Sequence, residues 1–248
     1  MLNKLNGKVA VVTGASKGLG AGIAQALAAE GAAVVVNYAS SNASAGSVVE
    51  AITQTGGKAF PVAGDITKIG EAQGLVDAAI KIYGRLDIVV NNAGCYEFAA
   101  LEDITEGSFH KHFNLNVLGL LLVTQAASRH LGTGGSIINI GSGVTRMKPP
   151  MVAVYAGTKG AVEAITGVLA KELAPRKIRV NSLNPGLVET EGTHAAGMIG
   201  AEMEKEFVAH TLLGRVGQPQ DIAAVAVFLA SDDSGWITGE VIVASGGL

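Results

Sequence analysis

Short apolar runs, rich in β-branched residues, alternate along the chain with longer alanine-rich stretches of helical periodicity. The apolar runs lack polar alternation, which is typical of strands buried on both faces of a parallel sheet. They predict strands at residues 9–12, 34–36, 59–62, 88–90, 137–140, 178–180 and 241–243. The stretches between them predict helices at residues 18–30, 43–55, 68–83, 106–131, 152–174 and 219–231.

This alternation of strands and helices with short connections predicts the domain organisation. It indicates an α/β chain in which helices cover both faces of a parallel sheet. With no linker, repeat or low-complexity segment visible, residues 1–248 are interpreted as a single domain. Residues 190–215 break the alternation, with Gly192, Gly197 and Gly200 among helix-forming residues. We interpret that segment as an inserted substrate lid.

Composition narrows the class of protein. Of 248 residues, 48% are hydrophobic and 16% are charged, against about 25% charged in typical soluble proteins. The net charge of −3 predicts no nucleic-acid partner. No apolar run of membrane-spanning length and no signal-peptide core is present, so neither a membrane span nor secretion is expected. The single cysteine, Cys95, excludes an intramolecular disulfide and favours the cytoplasm.

A glycine-rich turn follows the first predicted strand and precedes the first predicted helix. Gly14, Gly18 and Gly20 follow the spacing G-x-x-x-G-x-G. Glycines allow a sharp turn and a close approach of the backbone to phosphate, and the helix then directs its free N–H groups at the anion. The turn therefore predicts a dinucleotide site.

The end of the second predicted strand bears on the choice of cofactor. An NAD site usually carries an acidic residue there, which binds the ribose hydroxyls. Here the strand is followed by Asn37, Ser40 and Ser41, which can donate hydrogen bonds, and Lys17 adds positive charge. We therefore predict a preference for NADP(H) that still allows use of NAD(H).

Tyr155 and Lys159 lie four residues apart in a predicted helix, and Ser142 lies thirteen residues before the tyrosine. Positions i and i+4 share a helix face, so the lysine charge is expected to lower the tyrosine pKa. Bringing that pKa from about 10 to about 7 requires roughly 4 kcal/mol. We expect a cationic cofactor to supply part of it. The trio predicts a proton donor with a second hydroxyl that orients a carbonyl.

Five ordered motifs together resemble the short-chain dehydrogenase/reductase family along essentially the whole chain. They are the glycine turn, Asn-Asn-Ala-Gly at 91–94, Ser142, the Tyr155/Lys159 pair and Asn-Pro-Gly at 184–186. The chain looks most like 3-oxoacyl-carrier-protein reductases and related carbonyl reductases. The resemblance implies a three-layer αβα Rossmann fold with a doubly wound seven-stranded parallel sheet. It also implies a homotetramer, and hydride transfer between a nicotinamide and a small-molecule carbonyl or alcohol.

The resemblance also implies roles for individual residues. Tyr155 is the expected general acid/base, Lys159 its cofactor-binding partner, and Ser142 the donor to the substrate oxygen. Asn116 is expected to support a water-linked proton relay. One asparagine of the pair at 91–92 braces the sheet, and we assign that role to Asn92. The predicted cofactor contacts are Gly14, Ser16, Lys17, Gly18, Leu19, Gly20, Asn37, Tyr38, Ser40, Ser41, Asp65, Ile66, Asn91, Ala93, Gly94, Tyr155, Lys159, Pro185, Gly186, Val188 and Thr190.

The substrate is the least defined part of the prediction. The expected reaction is the NADPH-dependent reduction of a ketone to a secondary alcohol. A dedicated 3-oxoacyl-carrier-protein reductase, a sugar or polyol dehydrogenase and a non-catalytic nucleotide sensor are alternatives. The cavity walls are expected at Tyr96, Gly143, Val144, Val152, Leu187 and part of 190–210, and their apolar character favours aliphatic or aromatic ketones. No metal is predicted, and Cys95 is expected to be a small buried apolar residue.

Overall fold

Seven parallel strands form one sheet in the computed structural model, which describes residues 3–200 and 202–247. The order is β3-β2-β1-β4-β5-β6-β7, and every neighbouring pair is parallel. The chain therefore starts near the middle and winds outward in both directions, which confirms the doubly wound sheet. The strands are β1 Val9–Val12, β2 Ala33–Tyr38, β3 Lys58–Ala63, β4 Leu86–Asn91, β5 Leu131–Ile140, β6 Arg179–Pro185 and β7 Val241–Ala244.

Helices cover both faces of the sheet, as predicted. They are α1 Gly18–Ala29, α2 Asn42–Gln54, α3 Ile69–Tyr83, α4 Glu106–Phe113, α5 Leu120–Ser128, α6 Val144–Met147, α7 Ala153–Leu173, α8 Glu191–Ala195, α9 Glu202–His210 and α10 Pro219–Ala230. One buried cluster joins the sheet to α1, α2 and α10, and a second joins it to α3, α5 and α7. Each fully buried leucine or isoleucine in these clusters stabilises the layers by about 1.5–3 kcal/mol. The three-layer αβα architecture is therefore confirmed.

The long helix predicted at 106–131 is wrong. The chain instead forms α4, a π-helical turn at Asn114–Gly119 and α5, and residue 131 already belongs to β5. The turn brings the buried Asn116 side chain onto the backbone of Cys95. An extra residue in one turn often marks a functional position, because it redirects a side chain without ending the helix.

Several strands extend beyond their predicted bounds, and two of the strand predictions differ for clear physical reasons. The strand predicted at 178–180 is longer, since β6 continues through the buried polar residues Asn181 and Ser182. Their side chains are hydrogen-bonded, which permits their burial. The strand predicted at 59–62 is an edge strand rather than a doubly buried one, and Phe60 is 46% exposed. Its proline, Pro61, fits that position because an edge strand can spare a backbone donor.

Candidate active site

The main cavity opens at the carboxyl ends of the strands, and its lining includes the residues that follow β1 and β4. The strand order reverses between these two strands, and open α/β sheets bind ligands at such a crevice. The cavity has a volume of about 510 Å³. The glycine turn, the 91–94 motif and the Ser142, Tyr155 and Lys159 trio all contribute to its lining.

The shape of the turn after β1 depends on glycine. Gly14 and Gly18 adopt left-handed φ values of +59° and +56°. A Cβ on Gly20 would lie 2.4 Å from Asn92 Nδ2 and 2.6 Å from the Gly14 oxygen. The same Asn92 amide donates to the carbonyls of Thr13 at 2.9 Å and Gly14 at 3.1 Å. Asn92 therefore holds the turn against β4.

A carboxylate of the protein itself lies at the N-terminus of α1. The backbone N–H of Gly18 donates to Oε2 of Glu191 at 3.0 Å, and Glu191 opens α8 in the segment at 190–215. This donor also suits a phosphate, because a helix N-terminus favours negative charge. The glycine turn, the exposed Lys17 beside it and this N–H fit the phosphates of a dinucleotide.

The structure corrects two predicted contacts at the end of β2. The Asn37 side chain is buried; its Oδ1 accepts from Gly14 N–H at 3.1 Å and its Nδ2 donates to the Gly64 carbonyl at 3.0 Å. Asn37 lines the cavity, as predicted, but its amide is hydrogen-bonded within the glycine turn and to Gly64 rather than free to donate to a 2′-phosphate. Tyr38 lies outside the described lining, and its hydroxyl donates to Asn42 Oδ1 at 2.7 Å. Ser40 and Ser41 do line the cavity.

Asp65 and Ile66 border the same end of the cavity, as predicted. Oδ1 of Asp65 accepts hydrogen bonds from the backbone N–H and the hydroxyl of Thr67 at 3.0 and 2.8 Å. These bonds, first of all the one from the hydroxyl, lower the pKa of the Asp65 carboxyl. The carboxylate is therefore held in one orientation at the cavity rim.

The structure gives the side chains of both Asn91 and Asn92 a bracing role. The Asn91 side chain is buried beneath the site, where its Nδ2 donates to Thr124 Oγ1 and Asn139 Oδ1, both at 2.9 Å. Asn92 lines the cavity together with Ala93 and Gly94, whereas Asn91 does not appear in the described lining. The predicted contact at Asn91 is therefore wrong for its side chain.

Ser142, Tyr155 and Lys159 come together in the cavity wall. Tyr155 and Lys159 lie on α7, with 5.8 Å between Lys159 Nζ and the tyrosine ring centroid. Lys159 Nζ donates to the Ile140 carbonyl at 2.7 Å, which holds the ammonium at the end of β5. Ser142 follows that strand, and its Oγ accepts from the Val144 N–H at 3.2 Å.

Burial controls the protonation of this trio. It raises the pKa of Tyr155 to about 12, and the Ser142 hydroxyl opposes the rise only in part. It also lowers the pKa of Lys159 to about 8. In this structure the net shift of the Tyr155 pKa is therefore upward, and the predicted lowering of that pKa by Lys159 stays a prediction. At neutral pH the Tyr155 hydroxyl keeps its proton and can donate it.

Asn116 supports the trio from behind the cavity wall. Its Oδ1 accepts from the Cys95 N–H at 2.8 Å, and its Nδ2 donates to the Cys95 carbonyl at 2.9 Å and to Thr158 Oγ1 at 3.0 Å. The Thr158 hydroxyl in turn donates to the Tyr155 carbonyl at 2.7 Å. Asn116 thus braces the loop after β4 against α7, and its part in a proton relay stays a prediction.

The remaining walls are mostly apolar. Tyr96, Val144, Val152 and Leu187 line the cavity as expected, but Gly143 is absent from the described lining. Residues expected at the nicotinamide end that line it are Pro185, Gly186, Val188 and Thr190. Four further lining residues lie in the segment 190–210 that was expected to form part of the walls, namely Gly192, Thr193, Met198 and Phe207. The sequence did not single out the other lining residues Ala39, Gly64, Phe98, Leu115, Ile140, Met147 and Pro149.

Aromatic rings gather around Tyr155. The Tyr96 ring centroid lies 5.9 Å from that of Tyr155 and 6.3 Å from that of Phe98. Cys95 also lines the cavity and is only half-buried, so its predicted place in the core is wrong. Burial raises the pKa of the Cys95 thiol, which leaves it a neutral wall residue at neutral pH. Among residues 3–200 and 202–247, no cluster of histidine, cysteine and acidic residues could hold a metal.

Comparison with known proteins shows which family the chain is similar to. Residues 14–248 match the family described as Enoyl-(Acyl carrier protein) reductase. An uncharacterized oxidoreductase of Methylorubrum extorquens is 65% identical over 247 residues, the full length of both chains. The hydroxynaphthalene reductase-like protein Arp2 of Metarhizium majus is 43% identical, over 98% of this chain and 95% of its own.

Solved structures show the same architecture. A dehydrogenase/reductase from Sinorhizobium meliloti superposes with a TM-score of 0.95 at 36% identity, covering 99% of this chain and 96% of its own. A short-chain dehydrogenase from Burkholderia cenocepacia in complex with NADP gives 0.93 at 35% identity, covering 98% of each chain. The chain therefore belongs to the short-chain dehydrogenase/reductase family, and it is an oxidoreductase. No helix within the described residues is long and apolar enough to cross a membrane.

Proposed function

We propose that the protein reduces a ketone to a secondary alcohol, with NADPH as the hydride donor and Tyr155 as the general acid. The observation that carries the proposal is a tyrosine with a raised pKa in a mostly apolar cavity, next to Ser142 and Lys159. A protonated phenol can give its proton to an oxygen that gains electrons. Ser142 supplies a second donor toward the same oxygen.

The cofactor and these residues together account for every bond that is made or broken in the reduction. When bound, the reduced nicotinamide supplies a hydride to the carbonyl carbon. The carbonyl π pair moves onto oxygen, which takes the proton of Tyr155 as the new O–H bond forms. The resulting phenolate is stabilised by the nearby Lys159 charge and regains its proton from solvent. The ketone is reduced while the cofactor is oxidised.

The cavity walls support an apolar, ring-containing ketone over a free sugar. Tyr96, Phe98, Met147, Val152 and Leu187 supply aromatic and aliphatic surface. A relative named as hydroxynaphthalene reductase-like agrees with this substrate class. The choice of NADPH is supported by the absence of a carboxylate among residues 37–41, all of them described, and by a structural neighbour that contains NADP. We propose that the enzyme acts as one domain in a cytoplasmic homotetramer, with residues 190–215 as the lid.

A substrate panel tests the proposal. Bicyclic aromatic ketones, aliphatic ketones, an acyl thioester and simple sugars are mixed with the enzyme, and loss of NADPH absorbance is followed. We expect turnover of the ring ketones, and a loss of at least about 100-fold in kcat for Tyr155→Phe. Tyr83→Phe, on α3 and outside the described lining, is the matched control and should keep its activity. Near-normal ketone reduction by Tyr155→Phe would contradict the mechanism.

A further inference from the structure

Glu163 lies on α7 one turn beyond Lys159, outside the described lining of the cavity. It is half-buried, and its Oε1 is the acceptor of two hydrogen bonds. Thr145 Oγ1 lies 2.6 Å away and Asn184 Nδ2 lies 2.7 Å away. The carboxylate therefore joins three separate parts of the chain, namely α7, the residues after Ser142 and the end of β6.

Both partners of Glu163 also contact the backbone of Ser142. Asn184 Nδ2 donates to the Ser142 carbonyl at 3.1 Å, and Thr145 Oγ1 lies 3.0 Å from the same oxygen. A threonine hydroxyl has one proton, and the shorter, charge-assisted bond to Glu163 is the stronger of its two choices. Asn184 has two amide protons and can donate one to Glu163 and one to the Ser142 carbonyl.

The amide of Asn184 has one orientation in this network. Its Oδ1 accepts from Ser182 Oγ at 2.7 Å, which leaves Nδ2 to face Glu163 and Ser142. It also packs directly against the turn, since a Cβ on Gly141 would lie 1.9 Å from Asn184 Oδ1. A shift of Asn184 therefore moves the backbone that carries Ser142.

We infer that Glu163 is a positioning residue that sets the place of the Ser142 hydroxyl through Asn184 and Thr145. The inference rests on the proposed function, in which Ser142 donates to the substrate oxygen. Glu163 acts by accepting two hydrogen bonds at one oxygen. A glutamine at this position should perform the same role, because its Oε1 can accept the same two bonds. A misplacement of a catalytic group by a fraction of an ångström is costly, because catalysis requires near-exact geometry.

The test compares Glu163→Ala and Glu163→Gln in the full-length protein, each with and without Ser142→Ala. We expect Glu163→Ala alone to lower kcat for the preferred ketone about tenfold, with the Kd for NADPH, measured by fluorescence, within about twofold. Glu163→Gln should recover kcat to within about threefold of the parent. With Ser142→Ala present, Glu163→Ala should have less than about a twofold further effect. Glu172→Ala, an exposed position on α7, is the matched control and should leave kcat unchanged.

The possible outcomes distinguish a failure of the inference about Glu163 from a failure of the proposed function. Equal losses from Glu163→Ala with and without Ser142 would overturn the inference, as would a glutamine variant as slow as the alanine one. Full activity of Ser142→Ala would overturn the proposed role of Ser142 and this inference with it. If Glu163→Ala does not fold, Thr145→Val removes one of the two bonds and should lower kcat about threefold, only when Ser142 is present.

Discussion

The Glu191 carboxylate accepts a hydrogen bond from the backbone N–H of Gly18, with 3.0 Å between Oε2 and N. Gly18 begins α1 and Glu191 begins α8, so this hydrogen bond ties the segment at 190–215 to the glycine turn. Two anions cannot share one donor at full strength. A cofactor phosphate that binds this N–H must displace the carboxylate.

We therefore expect Glu191→Gln to bind NADPH about three- to tenfold more tightly, because a charged competitor becomes neutral. Fluorescence titration of NADPH measures the Kd directly. Glu202→Gln changes a carboxylate that is 87% exposed on α9 and serves as the control. An unchanged or weaker affinity in Glu191→Gln would show that the carboxylate does not compete with the cofactor.

Lys17 is exposed beside the glycine turn and lines the cavity. If its charge faces the 2′-phosphate, Lys17→Ala should raise the KM for NADPH about tenfold, since a bond to a charged group contributes roughly 1.5 kcal/mol or more. The KM for NADH should change less than about twofold. The same loss with both cofactors would mean that Lys17 contacts the phosphates common to the two. Lys58→Ala, on the edge strand β3, is the control.

The lowered pKa of Lys159 predicts how stability depends on pH. Its folded-state pKa is about 8, against an ordinary value of 10.5, so between these values the unfolded chain binds the extra proton. Stability contributed by this residue should rise by about 1–3 kcal/mol as pH increases from 8 to 10. Urea unfolding of the parent and of Lys159→Met, at several pH values, measures the difference. The rise should be smaller in the variant, and equal slopes would contradict the prediction.

A crowded glycine and an uncrowded one provide a further test of the turn that carries Ser142. Gly141→Ala places a Cβ 1.9 Å from Asn184 Oδ1, so the variant must shift this turn. We expect a loss of stability of about 1–3 kcal/mol together with a fall in kcat. Gly46, on α2, has nothing within 4 Å of a new Cβ, and Gly46→Ala should be stabilising by about 0.5–1 kcal/mol. Chemical unfolding of both variants gives the comparison.

The sheet and the positions of most helices were predictable because apolar periodicity reports which residues are buried. That signal failed where polar side chains are buried together with their hydrogen-bond partners. Asn181 and Ser182 continue β6, although their side chains made the strand look shorter. Asn116 interrupts a helix whose apolar period continues past it, because its amide bonds to a loop 21 residues earlier in the chain.

The parts of the site that a sequence motif defines were predictable. The contacts that depend on the orientation of a side chain were not. The glycine turn and the Ser142, Tyr155 and Lys159 trio meet as their spacing indicated. Whether an asparagine faces a cofactor or a backbone carbonyl depends on strand register, which is why the contacts of Asn37 and Asn91 differed from expectation. The pKa of Tyr155 depends on its burial, which local sequence does not report.

Helices α8 and α9 contribute no buried residue, all of 191–195 and 202–210 being described. Nevertheless Gly192, Thr193 and Phe207 from these helices face the substrate cavity. Substitutions at the exposed positions of these two helices should change stability by less than about 0.5 kcal/mol. Under the proposed function, natural selection can therefore change which ketone is accepted by altering this segment, while the buried amides around Ser142, Tyr155 and Lys159 remain untouched.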